Sequence, residues 1–375
     1  MRRTLPLFLL LALALSGCSG SPETVKIGFI GPLTGDAVSY GKDALNAARR
    51  AVDEANVEGG IDGKLVDLVV EDGRCTASAA ADAARKLVSA DGVVAIIGGN
   101  CSTETLAAAP IAEEAGVPLL SPISSSRAVT EAGDFVFRLY PSTGVTGNAY
   151  ARYLSDRGFR SIALLSEETD YCRSLRASIT EFLPEGARLV FDETVSAGEK
   201  DFRSVLTRLA DRQIDVFLIA MQSDAAVAAA ALQAKELGIE APIVANDVAD
   251  STTIDDVMGS AIAGMQVLSP VTPDAGRPEV AAFIDAYRRS YGEETSSIYY
   301  AGFAYDATNI LLRAVAEAGT DGAAIRDWLY ALPSYRGVMG DIAFDEKGDA
   351  HGVPYGLKEW ASDGTQRQIE LLPLE

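Results

Sequence analysis

Two hydrophobic patterns alternate along most of the chain. Short runs of apolar and often β-branched residues, such as "KIGFIG", "LVDLVV" and "VVAIIGG", predict buried β-strands. Between them lie stretches such as "GKDALNAARRAVDEANVEGG" and "SAAADAARKLVSADG", in which apolar residues recur with helical spacing. Strands that alternate with helices favour right-handed crossovers and buried parallel sheets. The pattern therefore predicts an α/β fold of Rossmann-like units, each a parallel sheet flanked by helices.

The same alternation continues through "SIALLSE", "DVFLIAM", "PIVAND" and "GMQVLSP". Short stretches rich in proline, glycine or serine follow strand-like segments near residues 141, 270 and 340. A chain of 375 residues is also long for one ordinary core. We therefore predict two lobes joined by three crossings, with a ligand cleft at the carboxyl ends of the strands. The predicted ranges are 24–141 plus 270–340 for lobe 1 and 142–269 plus 341–375 for lobe 2.

The N-terminal segment has the pattern of an export signal. Two arginines precede an apolar stretch over residues 5–15, which is shorter than the ~20 residues that a membrane-spanning helix needs. Small residues then lead to Cys18 in "LSGC", which resembles the lipobox of bacterial lipoproteins. We predict a signal peptide over 1–17, lipidation of Cys18 and a tether over 18–23. The alternative is an ordinary secretory signal that happens to contain a cysteine.

The overall charge argues against two classes of partner. The formal net charge is -21, and no basic patch is visible along the chain. Nucleic acids and anionic lipid surfaces would repel such a protein at long range. We therefore expect no nucleic-acid partner and no membrane contact apart from the lipid anchor.

Export changes the interpretation of the other cysteines. Cys75 and Cys101 each follow a predicted strand, and an oxidising compartment favours one disulfide. If the two strands are neighbours in a parallel sheet, their ends are adjacent and a bridge between these two cysteines is the natural pairing. Cys172 is then left over. The alternative is three free thiols.

Catalytic and metal-binding motifs are missing from the sequence. His351 is the only histidine and lies in the turn-like stretch "KGDAHGVPYG", with no nucleophile motif that points to it. The sequence contains no HExxH, no paired CxxC and no phosphate-binding GxxxxGK[ST] motif. We therefore predict no enzyme activity, no cofactor and no metal.

Hydroxyl side chains follow two consecutive predicted strands. Ser102 and Thr103 in "NCSTET" start a predicted helix, and the serines at 124–126 follow the next strand. The first turn of a helix carries unpaired N–H groups, so these positions can hold an anion such as a carboxylate. Helix capping is the simpler alternative for each. We expect Thr103 and Thr105 to have only capping and surface roles.

Candidate partners for a ligand ammonium group occur in the second predicted lobe. Asp247 and Tyr171 each follow a strand there, and a carboxylate with an aromatic neighbour suits an ammonium ion. Tyr40, Tyr299 and Tyr300 fall at loops or helix starts. For all five residues, an ordinary loop or packing role remains the alternative.

The residues from about 24 onwards resemble the bacterial periplasmic binding proteins of the Leu/Ile/Val type, which are solute receptors of ABC importers. The resemblance rests on "IGFIGPLTGDAVSYGKDALNAARR", "IIGGNCSTET", "AGVPLLSP", "TVSAGEKDF" and "GVMGDIAFDEKGD", which occur in the same order as in that family. It implies the type I periplasmic binding fold, with two lobes that close over a ligand.

The resemblance also implies residue roles. Matching positions assign the ligand carboxylate to Ser102, Ile123 and Ser125, the ligand ammonium to Tyr171 and Asp247, the side-chain pocket to Tyr40, Gln222 and Tyr300, and a disulfide to Cys75 and Cys101. Three positions depart from the family pattern. Asp247 is one methylene shorter than the usual glutamate, Gln222 replaces an aromatic residue, and Cys172 replaces a glycine. The resemblance implies a branched-chain or related amino acid as the ligand, and these departures argue against a purely aliphatic one.

The sequence thus predicts a lipid-anchored extracytoplasmic receptor, expected to be a monomer, that presents an amino acid to an ABC permease. Two alternatives remain open. One is a receptor or sensor of the same fold for small amides, urea or aromatic acids, and the other is an exported hydrolase.

Overall fold

The computed structural model describes residues 23–292 and 294–372. The predicted signal peptide, Cys18 and nearly all of the predicted tether lie outside these residues. Within the described part of the chain, no helix combines the length and apolar character needed to cross a membrane.

Strands and helices alternate as the hydrophobic pattern predicts. The strands are β1 Val25–Gly31, β2 Val66–Asp72, β3 Ala95–Ile97, β4 Leu119–Ser121, β5 Val136–Arg138, β6 Ser161–Glu167, β7 Arg188–Val195, β8 Val216–Ala220, β9 Ile243–Ala245, β10 Gln266–Pro270, β11 Tyr335–Gly337, β12 Gly340–Phe344, β13 Ala350–His351, β14 Tyr355–Trp360 and β15 Gln366–Leu372. The helices are α1 Val38–Val57, α2 Ala77–Lys86, α3 Ser102–Ala115, α4 Thr143–Asp156, α5 Asp170–Glu181, α6 Arg203–Ala210, α7 Asp224–Glu236, α8 Thr253–Met258, α9 Pro278–Tyr291, α10 Ile298–Ala318 and α11 Gly322–Tyr330.

Lobe 1 is built on five parallel strands in the order β2-β1-β3-β4-β5. Helices α9, α10 and α11 come late in the chain but return to this lobe. Their apolar residues Phe283, Phe303 and Ile325 share one core with Phe29 and Ile97 of the sheet. Burial of these faces stabilises the lobe by about 25 cal/mol per Å² of apolar surface removed from water. The chain therefore leaves lobe 1 and comes back to it.

Lobe 2 has a seven-stranded sheet in the order β15-β14-β10-β9-β8-β6-β7. The five strands from β10 to β7 in this order are parallel, as predicted. Strands β14 and β15 add an antiparallel edge that the sequence analysis did not anticipate. They are joined by the short turn at residues 361–365, and two strands joined by so short a turn must run antiparallel.

The structure corrects one predicted boundary between the lobes. The first crossing lies between β5 and α4 and the second between β10 and α9, close to the predicted positions. The third lies at residues 352–354, between β13 and β14, and not near residue 340. Strands β11, β12 and β13 form a small antiparallel sheet, and Ile342 and Phe344 of β12 pack into the core of lobe 1. Residues 341–351 therefore belong with lobe 1.

Candidate ligand-binding site

A cleft between the lobes, with an empty volume of about 300 Å³, contains the candidate site. It is lined by all eight residues to which the sequence analysis gave a ligand contact: Tyr40, Ser102, Ile123, Ser125, Tyr171, Gln222, Asp247 and Tyr300. Ser124, one of the serines named as able to hold an anion, lines it as well, and so do Asn100 and Val248, which the sequence analysis did not assign. The cleft lies beyond the carboxyl ends of the parallel strands, where ligands of open α/β sheets bind.

The start of α3 forms one end of the cleft. Ser102 is the first residue of this helix, so the N–H groups of the first turn are directed towards the cleft end of the helix. The Ser102 Oγ accepts hydrogen bonds from the backbone N–H groups of Ser125, at 3.3 Å, and Ser126, at 3.1 Å. An oxygen that accepts these two bonds still carries its own proton, which it can donate to a ligand oxygen.

The hydroxyl residues around Ser102 have distinct roles. Ser126 caps the short helical turn at Arg127–Glu131, as the capping alternative expects. Ser124 is buried and its Oγ shares a 2.7 Å hydrogen bond with the hydroxyl of Thr105. Thr105 is fully buried and also donates to the carbonyl of Gly99 at 2.9 Å, so the expectation of a surface role was wrong. These bonds fix the two loops that form this end of the cleft.

Thr103 also differs from the expectation of a capping or surface role. Its Oγ1 donates a 2.8 Å hydrogen bond to the Oδ2 of Asp170 at the start of α5. Since α3 belongs to lobe 1 and α5 to lobe 2, this bond joins the lobes beside the cleft.

The disulfide between Cys75 and Cys101 anchors the loop before α3. The Cα atoms of the two residues are 5.4 Å apart. Their strands β2 and β3 are not neighbours, because β1 lies between them, so the premise of adjacent strands was wrong although the pairing is confirmed. Glu104 completes the anchor, since its carboxylate accepts the backbone N–H groups of Cys75, Asn100 and Cys101 at 2.8–3.1 Å. Burial raises the pKa of Glu104 to about 7.

Asp247 forms the acidic end of the cleft. It follows β9 and is 5% exposed. Its Oδ1 accepts a 2.5 Å hydrogen bond from the Tyr171 hydroxyl, and its Oδ2 accepts one from the Tyr140 hydroxyl. Burial raises the pKa of Asp247, whereas the hydrogen bonds from Tyr140 and Tyr171 lower it. A cation bound beside this carboxylate would favour its charged form.

Asn246 holds this end in position. Its Nδ2 donates to the Tyr171 hydroxyl and to the carbonyl of Met221, both at 2.9 Å. Its Oδ1 accepts from the backbone N–H of Met221 at 3.1 Å. The side chain therefore ties the ends of β8 and β9 to the tyrosine at the start of α5.

Tyr40, Tyr300 and Gln222 form the third part of the lining. The rings of Tyr40 and Tyr300 lie 5.3 Å apart, centroid to centroid. The Nε2 of Gln222 in lobe 2 donates a 3.1 Å hydrogen bond to the Tyr40 hydroxyl in lobe 1. The backbone N–H of Gln222 donates to Glu167, which fixes the loop after β8. This part of the cleft is aromatic but carries an amide.

The lining contains one carboxylate and no basic residue. Asp247 is the only carboxylic acid among the described residues that line the cleft, and none of them is Lys, Arg or His. His351 is exposed on β13 and does not line it. Among the described residues, no group of three or more His, Cys, Asp or Glu side chains has the geometry to hold a metal ion. Hydroxyl and backbone groups face the carboxylate of Asp247 across the cleft.

Cys172, whose state the sequence left open, is a free and fully buried thiol in α5. Burial strongly raises the pKa of this thiol. It therefore has the character of a small apolar core residue.

Two residues at the site escaped the sequence analysis. Tyr140 lies directly after β5 in "RLYPSTG", and this position at a predicted crossing is the signal that could have identified it. Asn100 immediately precedes Cys101, within a stretch that the resemblance already covers. A larger cavity of about 1040 Å³ opens near the second crossing, but none of the residues predicted to contact a ligand lines it.

Comparison with known proteins decides the family. A sequence profile described as "Periplasmic binding protein" matches residues 24–365. The chain belongs to the periplasmic binding protein family. Among characterised members, it is similar to the leucine-, isoleucine-, valine-, threonine- and alanine-binding protein of Pseudomonas aeruginosa, with 26% identity over 96% of both chains. It is also similar to the Leu/Ile/Val-binding protein of Escherichia coli K12, with 27% identity over 92% of both chains.

Solved structures of periplasmic binding proteins share the fold. The branched-chain amino acid transporter substrate-binding protein LivJ from Streptococcus pneumoniae, in complex with isoleucine, superposes with a TM-score of 0.86 at 28% identity. The match covers 93% of this chain and 99% of that chain. The predicted α/β fold of the type I periplasmic binding proteins is thereby confirmed.

Proposed function

We propose that this chain is an extracytoplasmic receptor that binds an amino acid between its lobes and delivers it to an ABC importer. The observation that carries the proposal is the pairing of Asp247 on lobe 2 with the Ser102 end of α3 on lobe 1 in one cleft. The two ends of a zwitterion have opposite charge, and each end of the cleft offers the complementary partner.

At the carboxylate end, the donors are the Ser102 hydroxyl, the N–H groups at the start of α3 and the loop of Ile123 and Ser125. The positive end of a helix dipole holds an anion without a basic side chain. This accounts for a carboxylate site that contains neither Lys nor Arg.

At the ammonium end, Asp247 supplies the counter-charge and Tyr171 positions it. A buried carboxylate that faces a ligand suits an amine and opposes an acid without one. The site therefore supports an amino acid over an aromatic acid. A hydrolase is also disfavoured, because the only histidine, His351, is exposed outside the cleft.

The relatives support the same class of ligand. The names of two of them state binding of leucine, isoleucine and valine, and the Pseudomonas protein also binds threonine and alanine. The Streptococcus protein is a transporter component, and its structure was solved in complex with isoleucine. By analogy with these importers, the partner of the receptor is an ABC permease.

Export and anchoring complete the proposal. The predicted signal over 1–17 would direct the chain out of the cytoplasm, and lipidation of Cys18 would tether it to the membrane. The receptor would act as a monomer. Metabolic labelling with a fatty-acid probe tests the anchor: the wild-type chain should incorporate the probe and Cys18→Ser should not. Equal labelling of both would contradict it.

The central experiment measures binding of each of the twenty amino acids, urea, acetamide and benzoate to the purified protein. We expect a rise in the unfolding midpoint with at least one amino acid, because a ligand that binds only the folded state stabilises it. Titration calorimetry should then give a stoichiometry near one. A shift with benzoate or urea alone would overturn the proposed ligand class.

Variants at the two ends of the cleft test the proposed contacts. Ser102→Ala and Asp247→Asn should each weaken amino-acid binding by about 1–3 kcal/mol, because a charged ligand group loses a partner. Ser155→Ala and Asp67→Asn are matched controls at exposed positions, on α4 and β2, and should leave the affinity unchanged. Unchanged affinity in both cleft variants would refute the site.

A further inference from the structure

Asn100 has an unusual environment for a buried amide. The residue is 2% exposed, and neither its Nδ2 nor its Oδ1 has a hydrogen-bond partner among the described residues. Every other buried side chain among the described residues that has an unpaired polar atom has only one such atom. Buried polar groups are nearly always paired, because an unpaired one retains its desolvation cost.

The unpaired amide lies at the cleft. Asn100 lines it together with Tyr40, Gln222 and Tyr300, the residues assigned to the side-chain pocket. Among the described residues with an unpaired buried side-chain atom, only Asn100 is part of this lining. A ligand is therefore well placed to supply both missing partners.

The backbone holds Asn100 in a fixed position. Its N–H donates to the Glu104 carboxylate at 3.0 Å, and the next residue, Cys101, is held by the disulfide to Cys75. Gly31 at the end of β1 leaves room for the amide, because a Cβ there would lie 2.6 Å from the Asn100 Nδ2. The amide is thus presented by a rigid loop, as a specificity contact requires.

The chemistry of the pocket limits the ligand side chain. A carboxamide offers one acceptor and two donors, so it pairs with a group that both donates and accepts, namely a hydroxyl or another carboxamide. Gln222 adds a second amide from the opposite lobe. A charged side chain is disfavoured, since the lining has no cation and its single carboxylate, Asp247, faces the ligand ammonium in the proposed function.

We infer that Asn100 is a specificity-determining ligand contact that selects an amino acid with an uncharged polar side chain, a hydroxyl or a carboxamide. The inference rests on the proposed function, since it takes the ligand to be an amino acid. A purely aliphatic side chain leaves both polar atoms of Asn100 unpaired in the closed complex.

Pairs of ligands with nearly the same shape test the inference. Threonine and valine differ by a hydroxyl in place of a methyl group, and asparagine and leucine have closely similar shapes. For the wild-type protein, we expect calorimetric titration to show at least tenfold tighter binding of the polar member of one pair. In Asn100→Leu, the preference should fall to about equal affinity or reverse, because the amide is lost and the volume is kept.

Two variants serve as controls. Ser102→Ala should weaken both members of a pair by the same factor, because it acts on the ligand carboxylate. Asn100→Ala provides a second test of the lost preference if Asn100→Leu does not fold.

The possible failures are distinguishable. If the wild type binds valine and leucine as tightly as their polar counterparts, or if both Asn100 variants keep the wild-type preference, the inference is wrong while the proposed function stands. If no amino acid binds the wild-type protein, the proposed function fails and the inference fails with it.

Discussion

The carboxyl group of Asp247 links binding of the ligand to pH. Burial raises its pKa above the usual value of 3.8. A ligand ammonium beside it favours the charged form and lowers the pKa again. At a pH near or below the raised pKa, binding must therefore expel a proton, and affinity is lost as pH falls through that pKa.

We expect the affinity for the amino acid to weaken as pH falls from 8 towards 4, through the raised pKa of Asp247. Calorimetric titrations between pH 8 and pH 4 measure this, and buffers with different ionisation heats report the released proton. Asp247→Asn is the matched variant, since it cannot titrate and should bind weakly at every pH. An equally steep loss of affinity in that variant would assign the dependence to another group.

Position along the chain was enough to bring individual candidate residues to the cleft. Ser102, Tyr171 and Asp247 each follow a strand, and the carboxyl ends of parallel strands converge at one edge. Tyr140 and Asn100 were missed for a physical reason. Whether the Tyr140 hydroxyl reaches a residue of the other lobe, or the Asn100 amide lacks a hydrogen-bond partner, depends on residues far away in the chain.

At the level of helices and strands, hydrophobic periodicity predicted that strands and helices alternate in both lobes. It failed at the third crossing, where β12 has apolar residues that suit either lobe. Ile342 and Phe344 pack into lobe 1 because β11 and β12 form a hairpin beside α10. The lobe against which such a hairpin packs depends on contacts with distant residues, here Asp306 of α10, and periodicity does not encode them.

Asp306 of α10 anchors this hairpin. Its two oxygens accept the backbone N–H groups of Val338 and Met339, each at 2.9 Å. Gly337 is required beside them, since a Cβ there would lie 2.4 Å from the Asp306 Oδ2. Burial raises the pKa of Asp306 to about 7, from a usual value of 3.8. Arg277 opposes this shift only weakly.

The raised pKa predicts how Asp306 affects stability. In the folded protein the group keeps its proton up to about pH 7, whereas in the unfolded chain it loses it near pH 3.8. Its contribution to the free energy of unfolding is therefore complete below pH 3.8 and is lost as pH rises to 7. Relative to Asp306→Asn, which does not titrate, the wild type should lose on the order of 2–4 kcal/mol between pH 4 and pH 8.

Urea unfolding of both proteins at several pH values measures this difference. The comparison cancels the contributions of the other carboxylates, which both proteins share. If the stability of the wild type relative to Asp306→Asn stayed constant or grew with pH, Asp306 would be a charged carboxylate where it accepts the N–H groups of Val338 and Met339.

For the whole molecule, direct hydrogen bonds across the cleft mark a closed arrangement of the lobes. They join Tyr140 to Asp247, Gln222 to Tyr40, Thr103 to Asp170 and Ser39 to Asp224. Bonds of this kind exist only when the lobes are closed, so each contributes to the closed state and none to the open state. Ligand binding and closure are then coupled, and the measured affinity includes the free energy of closure.

The bond from Thr103 to Asp170 allows this coupling to be tested, because Thr103 does not line the cleft. Thr103→Val keeps the shape of the side chain and removes the donor. We expect the ligand affinity to weaken by about 0.5–1 kcal/mol, or about two- to fivefold, although no ligand contact has changed. Small-angle scattering of the ligand-free variant should give a radius of gyration at least as large as that of the wild type, and saturating ligand should remove any difference.

The matched control is Thr180→Val on the exposed face of α5, where the hydroxyl donates only to the carbonyl of Arg176 in its own helix. Its affinity should equal that of the wild type. If Thr103→Val also bound with wild-type affinity, this bond would not contribute to closure. If it bound two- to fivefold more weakly while Thr180→Val did not, the loss would be assigned to the equilibrium between open and closed lobes, since Thr103 does not line the cleft.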